Sequence, residues 1–174
     1  MAEKYLEDLM LHALKDVNFA EHMILKTLPS MIDGAKDAKL KTALKAHMKE
    51  TEGHVKRIDD AFAALGKKPE SVPCEAIKGI LKEGSELLED FGGTAVGDAA
   101  IIYACQAVEH YEINRYGTLH AWALELSNKP LAAIFEATLQ EEYAADDKLT
   151  EIAEGGLNQS AESKAARTKL RKRA

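Results

Sequence analysis

Apolar residues in this chain recur at intervals of three and four through four long segments, and no stretch alternates convincingly with period two. That spacing marks one face of an α-helix and leaves little room for a sheet. The first segment runs from Tyr5 to Leu28 with Leu6, Met10, Leu14, Val17, Ile24 and Leu28 in register, and Pro29 and Gly34 are predicted to end it. The second, from Asp37 to Leu65, carries Leu40, Leu44, Met48, Thr51, Val55, Ile58 and Phe62, with Gly66 as its stop. The third spans Ala95 to Leu126 through Ile101, Ile102, Cys105, Val108, Tyr116, Leu119 and Ala123. The fourth opens at Asn128-Lys129-Pro130 and carries Leu131, Ile134, Phe135, Thr138, Leu139, Leu149 and Ile152 up to Gly155-Gly156.

Four such stripes predict an all-α four-helix bundle. The links after the first and third helices are short, so each joins antiparallel neighbours. The link between the second and third covers about 30 residues and holds a short helix of its own, Cys74 to Phe91, opened by Pro73 and closed by Gly92-Gly93. One long crossover of this kind is the connectivity of ferritin-like bundles. Residues 1–156 are expected to form the bundle. From Leu157 to Ala174 the chain is rich in Ser, Ala, Lys and Arg, and is expected to be a flexible basic tail.

Charge and cysteine content narrow the function. Twenty-nine acids face 23 bases, and the last eleven residues hold six of those bases and no acid. The body is therefore strongly acidic, which argues against a nucleic-acid-binding surface anywhere but the tail. Cys74 and Cys105 are too few for a disulfide scaffold or a thiolate metal site. The acidic start, Met1 to Asp8, has no apolar stretch behind a basic one, so no signal peptide is expected. The longest wholly apolar run, Ala99 to Cys105, is far short of a membrane span. A cytoplasmic setting without membrane association is expected.

What interrupts each stripe is more telling. A helical residue turns about 100° from its predecessor. The first stripe passes through Glu21. In the second helix Glu50 and His54 lie about 40° apart on one face. Glu109 and Glu112 fall in line with Cys105 and Tyr116, and Glu142 and Asp146 lie between Thr138 and Leu149. Six carboxylates and one imidazole thus point at the bundle axis, with no Lys or Arg squarely on those stripes. Ionised carboxylates buried without partners cost several kcal/mol each, and two divalent cations would offset that cost. Mainly oxygen donors with one nitrogen suit iron or manganese better than structural zinc. A metal-free alternative stays open, in which the acids are protonated or paired with Arg57 or Arg115. His47, seven residues before His54, falls on the same stripe, as a neighbour of the ligands or at the rim. Glu52 and Glu141 project sideways and are expected to be solvated.

Two segments, Glu50-Thr51-Glu52-Gly53-His54 and Ala104-Cys105-Gln106-Ala107-Val108-Glu109-His110-Tyr111-Glu112, resemble the bacterial YciE/YciF stress-protein family over about Tyr5 to Gly156. The resemblance implies a ferritin-like bundle related to rubrerythrins and commonly a homodimer. Glu21 is similar to the single glutamate of the first helix in such proteins. Glu109-x-x-Glu112 is similar to the paired glutamates of the rubrerythrin third helix. Glu142-x-x-x-Asp146 resembles a Glu-x-x-x-His pair with Asp in place of His, and Glu50-x-x-x-His54 departs from Glu-x-x-His by one residue. No Cys-x-x-Cys pair is present to form a rubredoxin-type electron-receiving centre, so the resemblance leaves the electron donor unassigned. It implies a di-metal protein with oxidase or peroxide-scavenging chemistry, or else a non-enzymatic helical stress protein acting through itself or a partner.

Overall fold

In the computed structural model, which describes residues 4–163, the stripes become helices α1 (Leu6–Gly34), α2 (Ala38–Ala64), α4 (Ala95–Glu125) and α5 (Lys129–Ile152). The crossover holds α3 (Glu75–Phe91), and α6 (Asn158–Glu162) follows α5. No strand occurs among the described residues. Side-chain caps start several of the helices: the Asp37 carboxylate accepts from the Lys39 and Leu40 amides, Thr94 from Gly97, and Asn128 from Leu131. At the end of α2 the Gly66 amide donates to the Ala63 carbonyl and the Lys67 amide to Phe62. That closure needs a left-handed residue, and Gly66 has φ +65°.

Two expectations are corrected. Pro29 does not end α1, which runs on to Gly34. Met31 and Ile32 are buried one turn later, and their burial offsets the hydrogen bond that a proline forfeits. Nor does the helical path stop at Gly155-Gly156. Gly156, at φ +119°, lies in a π turn (Ala153–Leu157). Beyond it Leu157 is buried in the core and α6 continues to Glu162. Residues 164–174, with the six bases of the expected tail, lie outside those described.

The core comes in two pieces that also fix the helix directions. One cluster joins the N-terminal halves of α1 and α5 to the C-terminal halves of α2 and α4, through Leu14, Ile58, Phe62, Tyr116, Leu119, Leu131 and Phe135. The other joins the opposite halves through Ile24, Leu28, Leu40, Leu44, Ile101, Leu149 and Ile152, with Ile77 and Leu81 of α3 laid over it. Hence α1 runs antiparallel to α2 and α4, and α2 parallel to α4, the relation that only a long crossover permits. The chain is a ferritin-like four-helix bundle. Buried Asp98, in the first turn of α4, accepts from the Lys36 and Asp37 amides and ties that end of α4 to the α1–α2 turn. No helix among the described residues is long and apolar enough to cross a membrane.

Candidate metal centre

Between the two apolar clusters lies a polar layer. Glu21 on α1, His47 and His54 on α2, Glu109 and Glu112 on α4 and Glu142 on α5 are all buried, none more than 7% exposed. Heptad spacing brings His47 and His54 to one face of α2, and the three-residue spacing does the same for Glu109 and Glu112. Donor atoms of Glu21, His54, Glu112 and Glu142 lie within 4.8 Å of one another, as do those of His47, Glu109, Glu112 and Glu142. The two groups share Glu112 and Glu142.

His54 Nδ1 lies 3.0 Å from Glu142 Oε1 and 3.5 Å from Glu21 Oε1, while His47 Nε2 lies 3.5 Å from Glu109 Oε1. The Tyr116 hydroxyl donates to Glu21 Oε1. Most of the remaining donor atoms have no aligned partner. Nine buried oxygens and nitrogens of these six side chains are left without a hydrogen bond, including both oxygens of Glu112 and of Glu142. Among the described residues no Lys or Arg pairs with Glu21, Glu109, Glu112 or Glu142. Orphaned polar atoms of this number are unusual in a native interior.

Electrostatics follow from that crowding. Burial, reinforced by neighbouring Glu142, pushes the Glu109 carboxyl well above the usual range, although His47 pulls the other way. Burial and the charges of Glu142 and Glu21 raise Glu112 likewise. Burial alone would lower the histidines, but Glu142 and Glu21 raise His54 to about 11, and Glu109 and Glu50 raise His47 to about 9. Tyr116 is pushed up by burial and by Glu21 and Glu112. Without a cation, protons supply the counter-charge.

Five of the seven residues expected at the axis meet here: Glu21, His54, Glu109, Glu112 and Glu142. Glu50 and Asp146 do not join them. The Glu50 side chain is 46% exposed, with an oxygen 3.8 Å from His47 Nδ1. It sits on the edge of its stripe, where α2 meets solvent beside α5. Asp146 turns toward α4 and accepts from the Gln106 amide at 3.0 Å, with His110 Nε2 at 3.2 Å. His47 takes a place in the cluster that spacing alone left open.

Glu141 is also placed differently from expectation. It accepts a two-pronged hydrogen bond from Arg57, 2.6 Å at each oxygen, and lies 2.9 Å from His54 Nε2. Arg57 holds its carboxyl below the usual range against the opposing effect of burial. Of the tyrosines, Tyr116 touches the cluster, Tyr111 instead donates to Asp16 at 2.8 Å, and Tyr143 is exposed.

The His47 end reaches an opening, whereas on the His54 side a second recess of about 610 Å³ ends on Arg57 and Glu141 without touching His54. A groove of about 1000 Å³ between α2 and α5, bordered by the π turn, ends on His47, Glu50 and Glu109. A small cavity of about 20 Å³, walled mainly by Ile24, Met31, Leu81, Ala104 and Val108, reaches the same His47 and Glu109 from beneath α3.

Residues 5–162 match the family model described as a domain of unknown function, DUF892. The chain is 38% identical to protein YciF of Escherichia coli K12 over 166 residues, covering 95% of this chain and all of that protein. The crystal structure of the E. coli stress protein YciF superposes with a TM-score of 0.85 at 37% identity, over 90% of this chain and 99% of that one. YcfI of Rhodopseudomonas palustris gives a TM-score of 0.83 at 45% identity, over 84% and 94%. A protein of Xanthomonas campestris, 18% identical with a TM-score of 0.72 over 91% and 97%, shares the fold. With the bundle, both motifs and these likenesses in agreement, the chain belongs to the DUF892 domain family, the YciE/YciF family of stress proteins.

Proposed function

We propose that the chain is a di-metal carboxylate protein of the bacterial stress response, taking iron or manganese. The observation that carries this reading is the set of nine buried donor atoms without partners. Glu21 and His54 would hold one ion and His47 and Glu109 the other, with Glu112 and Glu142 shared; Glu50 and Asp146 drop out of the ligand set. Four carboxylate side chains and two imidazoles suit iron or manganese better than structural zinc. Bound as a pair, such ions supply one-electron chemistry and Lewis acidity toward dioxygen or peroxide.

The chain's own part is to exclude water on the His54 side, to steady Glu21 through the Tyr116 hydroxyl, and to leave the His47 side reachable through the groove. In this reading the protein works as a cytoplasmic homodimer, whose mass in solution is checked by light scattering. The decisive test is metal analysis after anaerobic titration with iron(II) and manganese(II). About two ions per chain are expected, with stoichiometric binding lost in Glu109→Ala and Glu142→Ala. No saturable uptake, together with a Tm indifferent to chelators, would return the cluster to a protonated structural network and the function to a protein partner.

A further inference from the structure

We infer that Glu141, gripped by Arg57, is a positioning residue that makes Nδ1 the nitrogen His54 offers to the centre. The inference rests on the di-metal reading and deepens it. His54 and Arg57 stand one turn apart on α2, opposite Thr138 and Glu141 one turn apart on α5. Arg57 Nη1 donates to Glu141 Oε2 and Nη2 to Glu141 Oε1, each at 2.6 Å, and Nη1 also reaches Thr138 Oγ1 at 3.2 Å. A guanidinium fork and a carboxylate fit each other in one plane, so the fork fixes the direction of the carboxylate as well as its place. The same Glu141 Oε2 faces His54 Nε2 at 2.9 Å.

A carboxylate can only accept, so the proton of that bond sits on Nε2. The other nitrogen, Nδ1, then faces Glu21 and Glu142. Carboxylates that hold the outer nitrogen of a metal-binding imidazole fix both its tautomer and its ring orientation. Arg57 is needed because the Glu141 side chain is 34% exposed and would otherwise turn to water. His47 has no such clasp. Its nearest outward carboxylate, Glu50, stands 3.8 Å from Nδ1 and makes no aligned hydrogen bond there. One histidine of the pair is keyed from behind and the other is not.

The test uses the full chain with zinc(II) as a diamagnetic probe and ¹⁵N-labelled histidine, read by NMR. In the wild type His54 should be ligated through Nδ1 and protonated at Nε2. Glu141→Ala and Arg57→Ala should each weaken one zinc of the pair by about 10- to 100-fold and leave the other unchanged, while Glu50→Ala changes neither. All three positions are partly exposed, and circular dichroism checks that the variants fold. Ligation through Nε2, or two zincs held as tightly in Glu141→Ala as in the wild type, would overturn the inference. If the wild type takes up no zinc, the iron(II) and manganese(II) titration still decides the di-metal reading, and the metal-free chain decides the clasp. An Nε2 proton that exchanges slowly in the wild type and fast in Glu141→Ala upholds it, and equal exchange overturns it.

Discussion

Around His54 the polar layer is sealed. Tyr116 closes it from the apolar cluster on that side, edge-on to the imidazole with ring centroids 6.2 Å apart, and the Arg57–Glu141 pair covers the seam between α2 and α5. Around His47 the same layer thins toward solvent: the groove ends there, and the carboxylate behind the ring is half exposed. Glu112 and Glu142 serve both ends. The contrast separates two demands on such a centre. A sealed end keeps what it holds, and an open end admits and exchanges, while shared carboxylates couple the two.

The apolar cluster on the His54 side is the first thing to break. Phe62 is fully buried, and Phe62→Ala should cost about 3–5 kcal/mol of stability. Urea unfolding of the metal-free chain measures this, with Ile152→Ala at the groove as the comparison. Equal losses would mean that the two ends are packed alike.

Titration sharpens the comparison next. Both histidines are raised in the folded chain, so the stability they contribute is complete below about pH 6.5. It is lost as pH rises, through about 9 for His47 and about 11 for His54. Raised Glu109 and Glu112 act in the same direction from lower pH. Metal-free protein should therefore weaken from pH 6.5 upward, the open end first, and bind divalent ions more tightly as pH rises. Denaturant midpoints that climb between pH 7 and 9 would contradict the raised values.

The smallest effect is expected from Tyr116→Phe, which takes one donor from Glu21 and leaves the ring in place. It should cost about 1–2 kcal/mol in metal-free protein and loosen metal at the sealed end only. An equal loss of both metals would show that the ends are not independent.

Much of this was legible in the sequence. The helices followed from apolar spacing and caps, and the crossover from the length of one link. The inward carboxylates were visible because a charged residue inside an apolar stripe is costly wherever the stripe is buried. What spacing could not resolve was the edge of each stripe. Glu50 and Asp146 sit within about 40° of residues that do join the cluster, yet the neighbouring helix falls on the other side of that angle, leaving Glu50 to solvent and Asp146 to Gln106. Glu141 was read as solvated because it turns away from Glu142. Its partners, Arg57 and His54, lie more than eighty positions away in sequence, and no local pattern announces a contact across two helices. Pro29 misled for a related reason: a local stop signal says nothing of what Met31 and Ile32 bury beyond it.

The division of the chain by its crossover carries one more consequence. Glu21, His47 and His54 come from the hairpin of α1 and α2, while Glu109, Glu112 and Glu142 come from the hairpin of α4 and α5. The centre is therefore a joint between two halves, each supplying three of the six side chains. A cation seated there would act as a rivet, and its affinity would be in part the strength with which the halves adhere. The Asp98 clasp on the α1–α2 turn already aligns them at one end. A cut at the exposed Lys67–Lys68 bond would leave two helical hairpins that still mate, and added metal would lower the concentration at which they do so.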